Sequence, residues 1–338
     1  MAARRGDTLL FERMPVMASH AAVGGKKEGE GPLAAEFDEL FPDNNCGQAN
    51  WETAEKNLQL RAARLCLKKA HATEKQVSLV LAGDLQAQCT ASSYALRELH
   101  LPFVGLFGAC STMAEGLALG AALCEGGAAR NLLAMASSHF CAAERQFRTP
   151  LSYGAVRTPT AQWTATAAGC CLLQPQGEGV GIAAATFGRV QDYQVKDINN
   201  MGAAMAPAAA STLLHYFKDT GTEPQEFDCI YTGDLGQVGS QLLRELLAAE
   251  GLLIKNHVDC GCILFDANEQ SVKSGGSGPG CCAAVLCGHI LPRLRRGSQK
   301  RVLFTATGAL MSQTTFLQKE TIPAVAHLVE LRAPEKEK

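Results

Sequence analysis

Residues 99–119 read LHLPFVGLFGACSTMAEGLAL, an apolar run that ends at a glycine and leads into a helix. Cys110 stands at the mouth of that helix, which opens with Ser111, Thr112 and Glu115. Unpaired backbone N–H groups and the positive end of the helix dipole both favour a thiolate at such a place. Cys110 is therefore the leading candidate for a reactive or ligand-facing atom. The alternative is that it is one more small apolar residue in a chain with 14 cysteines.

The composition predicts a soluble globular protein without a basic face for nucleic acid. The 338 residues are 47% hydrophobic and carry a formal net charge of -2, with five tyrosines and two tryptophans. No apolar run reaches the roughly 18 residues that a membrane span needs. The CxxC pairs of zinc sites are absent, and Cys260 and Cys262 lie too close together for one, so we predict no metal centre.

Short apolar runs alternate with helical stretches, which is typical of an α/β protein. The runs that predict strands are 77–82, 103–107, 131–136, 169–173, 229–231, 262–265, 283–287 and 302–306. Residues 24–31 and 333–338 are rich in glycine or charge, which predicts a solvated loop and a charged tail.

An internal repeat indicates a duplicated fold. In each half a helical stretch (54–70 and 204–220) precedes a strand and the tripeptide Gly-Asp-Leu, so Asp84 and Asp234 are matched and we expect both to act structurally, as caps or in turns. The segment around Cys110 also has a counterpart around Cys281, and we expect the helices after both cysteines to pack centrally. The sequence therefore predicts two duplicated βαβαβ-type halves in five layers, α-β-α-β-α. We set the halves at 36–190 and 191–332, after a partly flexible segment 1–35 and before the tail 333–338.

This arrangement, with a cysteine at the start of the first half's central helix, resembles the thiolase superfamily over about residues 35–330. Seven strings are similar to the stage V sporulation family within that superfamily. They are AGDL (82–85), GACSTMAEGLAL (108–119), SSHFCAAERQFR (137–148), PTAQWT (159–164), KDINNMGAAMAPAA (196–209), TGDLGQVGS (232–240) and VLFTATGALMS (302–312).

The resemblance implies a non-catalytic, thiolase-like protein that binds dipicolinic acid. With membrane subunits of the same uptake machinery, such a protein supports movement of dipicolinate into the developing spore as its calcium complex. It also implies a homodimer, and a cytoplasmic location at the periphery of the inner spore membrane. No cofactor is expected, apart from calcium that arrives together with the ligand.

The residues that condensation chemistry needs are incomplete in this sequence. A condensing enzyme combines a nucleophilic thiolate with a His and a second His or Asn that stabilise the developing charges. Where the resemblance places the His, the string TGDLGQVGS offers Asp234, Gln237 and Ser240, and GGSGPG contains no Asn. Cys110 is thus a vestigial nucleophile candidate, and we predict that the protein is not an enzyme.

The residues predicted to contact the ligand are Cys110, His139, Arg145, Arg148, Trp163 and Asn200. Two arginines can each bind a carboxylate bidentately, and Trp163 can stack on an aromatic ring. The alternatives are that the arginines pair with acidic neighbours such as Glu144 and that Asn200 caps the following helix.

Two other functions stay open. One is an acyltransferase or condensing enzyme in which Cys110 works with an atypical partner such as His139. The other is a structural scaffold with a vestigial pocket.

Overall fold

The computed structural model describes residues 2–147 and 157–335. Its strands are β1 (Ala3–Arg5), β2 (Thr8–Leu10), β3 (Val16–Gly24), β4 (Glu39–Leu40), β5 (Leu79–Gly83), β6 (Phe103–Gly105), β7 (Leu132–Ser138), β8 (Trp163–Thr164), β9 (Ala167–Gln174), β10 (Val180–Phe187), β11 (Cys229–Thr232), β12 (His257–Asp259), β13 (Gly276–Ser277), β14 (Arg301–Ala309) and β15 (Ala324–Arg332). Its α-helices are α1 (Lys26–Gly29), α2 (Trp51–Lys69), α3 (Thr90–Leu99), α4 (Thr112–Glu125), α5 (Phe140–Phe147), α6 (Met201–Thr220), α7 (Gly236–Ala249), α8 (Cys260–Leu264), α9 (Pro279–Val285), α10 (Leu291–Arg296) and α11 (Gln313–Leu317). A π-helical turn, Leu286–Ile290, joins α9 to α10.

The strand order shows the duplication directly. One half of the sheet runs β3-β9-β7-β5-β6, and the other runs β10-β15-β14-β11-β12, so each strand has a counterpart at the same place. In both halves the last strand along the chain, β9 or β15, is antiparallel to its two neighbours, while the outer pairs are parallel. A short antiparallel contact between β3 and β10 joins the halves.

Helices lie between the two halves and outside them. The central helix α4 packs on β7 and β5 of the first half and on β15 and β14 of the second, while α9 packs on β9, β7 and β3. Helices α2 and α3 cover the outer face of the first half, and α6 and α7 cover that of the second. The predicted five-layer, thiolase-like architecture is confirmed.

Small residues allow the central layer to approach the sheet closely. A side chain at Gly169 on β9 would collide with the carbonyl group of Ala283 on α9. A side chain at Gly120 on α4 would press on Leu132 and Leu173 at 2.9 Å. Backbone contact between layers therefore depends on glycine at these places.

Two of the runs predicted as strands are helical. Residues 262–265 lie mostly in α8. Asp259 caps the N-terminus of this helix, because its side chain accepts from Cys262 N at 3.2 Å. Residues 283–287 lie in α9 and the π-helical turn, behind a proline in the first turn. Short apolar runs do not distinguish a buried strand from a buried helix. The helix signals here are the Asp259 cap of α8 and the proline in the first turn of α9.

The first half begins earlier than predicted. Strand β3, within the segment 1–35, lies in the middle of the sheet and is buried along almost all of its length. The polar residues Ser19 and His20 interrupt the apolar pattern of this strand, so the sequence did not predict it. Both are buried: Ser19 Oγ donates to Cys66 O at 2.8 Å, and burial lowers the pKa of His20 to about 3. The second half correspondingly begins with β10 rather than at residue 191.

The predicted solvated loop at 24–31 contains a buried carboxyl group. Glu28 on α1 accepts from Thr166 N at 2.8 Å, and burial raises its pKa to about 7. Among the helices in the described part of the chain, none is long and apolar enough to cross a membrane.

Candidate functional site

Cys110 lies where the loop after β6 enters the central helix α4. The preceding residue, Ala109, has a left-handed backbone with φ of 49°, and a short 3-10 turn at Ala109–Ser111 leads into α4. The end of β14 presses on this loop, because a side chain at Gly308 would collide with the carbonyl of Gly108. The cysteine is thus held in a sharp turn, with its side chain 8% exposed.

Asp234 meets Cys110 from the second half of the chain. It follows β11, is fully buried, and lies close enough to the Cys110 thiol for its negative charge to raise the pKa of that thiol. Its Oδ2 accepts from Ser277 Oγ at 3.0 Å and from Gly278 N at 2.8 Å. Its Oδ1 accepts from Thr307 Oγ1 at 3.2 Å. The Gly-Asp-Leu and GGSGPG segments, where the resemblance places the condensing partners, therefore bring Asp234 and Ser277 to the cysteine.

The surroundings of Cys110 favour the neutral thiol. Burial, and then the negative charge of Asp234, hold the pKa of Cys110 well above its usual range. Burial also raises the pKa of Asp234 to about 7, against the lowering effect of its hydrogen bonds. The thiolate expected from the helix start is not supported, because desolvation and a facing carboxyl group outweigh the helix dipole.

A cavity of about 180 Å³ opens beside Cys110. Most of its wall is apolar, from Leu85, Ala109, Ala143, Phe147, Ala161, Ile198, Met201, Met205, Ala309 and Met311. Its polar lining consists of Cys110, Glu144, Arg157, Gln162, Thr164, Asn199 and Ser277. Both halves of the chain contribute to it, at the ends of β8, β13 and β14 and the start of α6.

Arg157 is fixed in the wall of this cavity. Its guanidinium donates to Gln162 O at 2.6 Å and to Glu144 Oε1, and it lies over the rings of Phe140 and Trp163, 5.1 and 4.9 Å from their centres. These contacts hold the cation in one orientation while it lines the cavity. Arg157 is not among the ligand residues predicted from the sequence.

Gln162 carries an unsatisfied acceptor at the same wall. Its Nε2 donates to Asp234 O at 2.6 Å and to Gly276 O at 2.8 Å, while its Oε1 is buried without a hydrogen-bond partner in the described part of the protein. A buried unsatisfied acceptor is costly unless a ligand supplies a donor or a cation.

Of the predicted ligand residues that the structure describes, Cys110 lines the cavity and four others do not. His139 Nε2 bonds to Asn44 O at 2.7 Å, and burial lowers its pKa. Arg145 is half exposed and forms an ion pair, as one alternative had it, but with Glu52 at 2.9 Å rather than with Glu144.

Trp163 stacks on Phe140 with ring centres 3.7 Å apart. Asn200 caps α6 by accepting from Ala203 N, which is the other alternative, and its neighbour Asn199 lines the cavity instead. Arg148 lies outside the described residues. No cluster of three or more His, Cys, Asp or Glu residues suited to a metal ion occurs within 2–147 and 157–335.

The fold and site define a thiolase-like protein, and solved structures agree. OleA from Xanthomonas campestris, solved with cerulenin bound, is similar with a TM-score of 0.61 at 14% identity, covering 98% of this chain and 99% of that one. The 3-oxoacyl-[acyl-carrier-protein] synthase III of Aquifex aeolicus is similar with a TM-score of 0.53 at 11% identity, covering 94% and 99%. At these identities the likeness shows the fold alone.

Sequence comparison gives the family. The family model of Stage V sporulation protein AD matches residues 5–332. The Stage V sporulation protein AD of Bacillus subtilis is 41% identical over 322 residues, which cover 95% of each chain. This chain therefore belongs to the Stage V sporulation protein AD family, and the resemblance seen in the sequence is confirmed.

Proposed function

We propose that this sporulation protein is a non-catalytic binding protein whose cavity takes up dipicolinic acid, alone or as its calcium complex. The observation that carries the proposal is the pairing of Cys110 with Asp234 at the edge of a ligand-sized cavity. A neutral thiol facing a carboxyl group is a poor nucleophile. The cavity has therefore kept the position of a condensing site without its chemistry.

The size and lining of the cavity suit a small aromatic acid. Its volume of about 180 Å³ is below the roughly 300–1,000 Å³ of sites for drug-sized ligands, which fits a single-ring compound. Apolar side chains such as Ile198 and Met205 cover a ring, and the oriented guanidinium of Arg157 receives a carboxylate.

Charge and hydrogen bonding favour a role for calcium carried by the ligand. Arg157 forms an ion pair with Glu144, so the charge of its guanidinium does not by itself neutralise a dianion in the cavity. The free Oε1 of Gln162 and the carboxylate of Glu144 are oxygen donors of the kind that calcium prefers. In this proposal calcium enters with dipicolinate and needs no site of its own.

Calorimetric titration with dipicolinate, with and without calcium, tests the proposal. We expect saturable binding to the unmodified protein and a loss of at least about tenfold in affinity for Arg157→Ala, because a charged hydrogen-bond partner is removed. Arg145→Ala is the matched control: it removes an arginine that pairs with Glu52 outside the cavity, and it should bind as the unmodified protein does. No binding, or equal effects of the two variants, contradicts the proposal.

We also propose that the protein acts as a homodimer beside membrane subunits of the uptake machinery, at the periphery of the inner spore membrane. Strand β6 lies at the edge of the first half and, within the described residues, pairs only with β5. Val104 on this strand is 46% exposed and Phe107 just after it is 66% exposed. An unpaired edge with apolar side chains supports pairing with a second copy.

A further inference from the structure

Helix α10 and the turn that follows it form a strongly basic stretch of the chain. Residues 293–301 read RLRRGSQKR, with five arginines and lysines and no acidic residue, in a protein whose formal net charge is -2. Leu291 and Leu294 are completely buried and anchor the helix on the core. Arg295 and Arg296 are exposed, so the charge of this helix faces water.

Neighbouring carboxylates neutralise only part of this charge. Arg293 pairs with Glu36 at 3.4 Å, and Arg301 pairs with Glu226 at 3.0 Å and with Glu330 at 2.7 Å. The remaining cations of the stretch are exposed and form no ion pair with any described residue; they are Arg295, Arg296 and Lys300.

The C-terminal ends of α10 and α2 lie beside one another on strand β3. Arg295 Nη2 donates to Ala18 O on this strand. The next residue, Ser19, donates through Oγ to Cys66 O at 2.8 Å, in the last turn of α2. That turn adds two exposed lysines to the arginines of α10. The two helix ends together form one surface, called the basic face below, which consists of Lys68, Lys69, Arg293, Arg295, Arg296 and Lys300.

The basic face lies at the opposite end of the sheet from the cavity. Arg301 begins β14, and Ala309, the last residue of that strand, lines the cavity. Because a strand rises about 3.3 Å per residue, the two ends of β14 lie about 26 Å apart. Helix α2 likewise precedes β5, and Leu85, just after that strand, lines the cavity. A surface that touched the basic face would therefore leave the cavity open to water.

We propose that the basic face binds an anionic phospholipid surface and orients the protein with its cavity turned away from the lipid. Each exposed arginine or lysine near an anionic leaflet strengthens binding about fivefold. Residues 293–301 include no aromatic side chain on which a nucleic-acid base could stack, and the leucines of α10 are buried, so the contact is electrostatic and needs no insertion. This inference rests on the proposed place of the protein beside a membrane and is independent of dipicolinate binding.

Co-sedimentation of the full-length protein with phospholipid vesicles tests the proposal. The vesicles are phosphatidylcholine alone or phosphatidylcholine with about one-third phosphatidylglycerol, which is anionic. We expect sedimentation with the anionic vesicles only, and release as salt is raised, because salt screens exposed charges. A variant that combines Lys68→Ala, Arg296→Ala and Lys300→Ala removes three cations whose side chains form no hydrogen bond with the described residues, so its fold should be kept. Its binding to anionic vesicles should be about a hundredfold weaker.

A matched control removes the same amount of charge elsewhere. Lys26→Ala, Lys273→Ala and Lys319→Ala, combined in one protein, change three exposed lysines outside the basic face and should leave vesicle binding intact. Equal losses in the two triple variants overturn the proposal, as does equal binding to neutral and anionic vesicles. Binding to a DNA duplex without binding to the vesicles would assign the basic face to a nucleic acid and also overturn it.

Hydrogen exchange of the vesicle-bound protein, followed by mass spectrometry, tests the orientation. We expect slower exchange at residues 68–72 and 295–300 and unchanged exchange at 157–165 and 196–201, which include walls of the cavity. Protection of the cavity segments instead contradicts the orientation. Calorimetry with dipicolinate is a separate readout: a protein that binds vesicles but not dipicolinate fails the proposed function alone, whereas one that binds dipicolinate but not anionic vesicles overturns this inference alone.

Discussion

Asp84 and Asp234 occupy the same place in the two halves of the chain but bond to different partners. Asp84 turns to its own half, where its carboxyl group accepts from Gln86 N at 2.9 Å and from Ser92 N at 2.8 Å, next to the start of α3. Asp234 turns to the centre and meets Cys110. In the second half, Asp259 takes this place at the start of α7, where its carboxyl group accepts from Leu235 N and Gly236 N, each at 2.9 Å. A second aspartate thus frees Asp234 for the site.

The buried carboxyl group of Glu55, beside Asp84, should make stability fall as pH rises. Burial raises the pKa of Glu55 from 4.5 to about 8, so the folded protein holds a proton that the unfolded chain releases. Protonated Glu55 therefore stabilises the folded state fully below pH 4.5. This stabilisation is lost at up to about 1.4 kcal/mol per pH unit between pH 4.5 and about 8.

Glu55→Gln should flatten this decline, because the neutral amide has no proton to lose. Gln86 Nε2 donates to Glu55, and Gln86 Oε1 has no hydrogen-bond partner among the described residues, so this side chain can turn to accommodate the amide. Urea unfolding at pH 5.5 and pH 8 checks the expectation. An identical pH slope in the variant and the unmodified protein contradicts it.

Gly169→Ala should destabilise the contact between β9 and α9. The added methyl group would meet the backbone carbonyl of Ala283, which cannot move without shifting α9. Overpacking of this kind costs about 1–3 kcal/mol or more. Gly116→Ala on α4 is the control, because its methyl group would lie in ordinary contact at 3.4 Å and would favour the helix. Equal unfolding midpoints for the two variants would contradict the close packing.

Val104→Arg should weaken the proposed dimer. The substitution places a charge on the exposed edge strand β6, where pairing with a second copy would bury it. Light scattering after size-exclusion chromatography measures the mass. Val190→Arg, at a position 60% exposed on another surface, is the control and should leave the mass unchanged. A monomeric unmodified protein, or a Val104→Arg variant that stays dimeric, would disprove pairing through β6.

Ala309→Phe should block the cavity without touching its charged groups. Ala309 ends β14 and lines the cavity, so a benzyl group there would occupy the space assigned to the ligand ring. We expect dipicolinate to lose its stabilising effect in a thermal unfolding assay. Val190→Phe, on the exposed surface, should keep that effect. Retained stabilisation of Ala309→Phe would place the ligand elsewhere.

The duplication could be predicted because it repeats the same short motifs along the sequence. The matched strands and Gly-Asp-Leu tripeptides lie in the same order in both halves, and Cys110 stands at a recognisable helix start. The identity of its partner was harder to predict. Asp234 and Asp84 have the same local sequence, and which of them faces the cysteine depends on Asp259, which no local pattern links to either.

The walls of the cavity could not be predicted for a related reason. Arg145 and Arg157 are both arginines near the same helix, yet one pairs with Glu52 at the surface while the other lines the cavity. Their directions are set by Trp51 under Arg145 and by the stacked rings of Phe140 and Trp163 under Arg157. Such contacts join segments that are distant along the chain.

A crystal structure of the protein grown with dipicolinate and calcium is the most direct test of ligand binding in the cavity. We expect the pyridine ring inside the cavity beside Cys110, with no covalent bond to its sulfur and with one carboxylate on the guanidinium of Arg157. A ligand bound at another surface, or an acyl group attached to Cys110 in protein as purified, would contradict it.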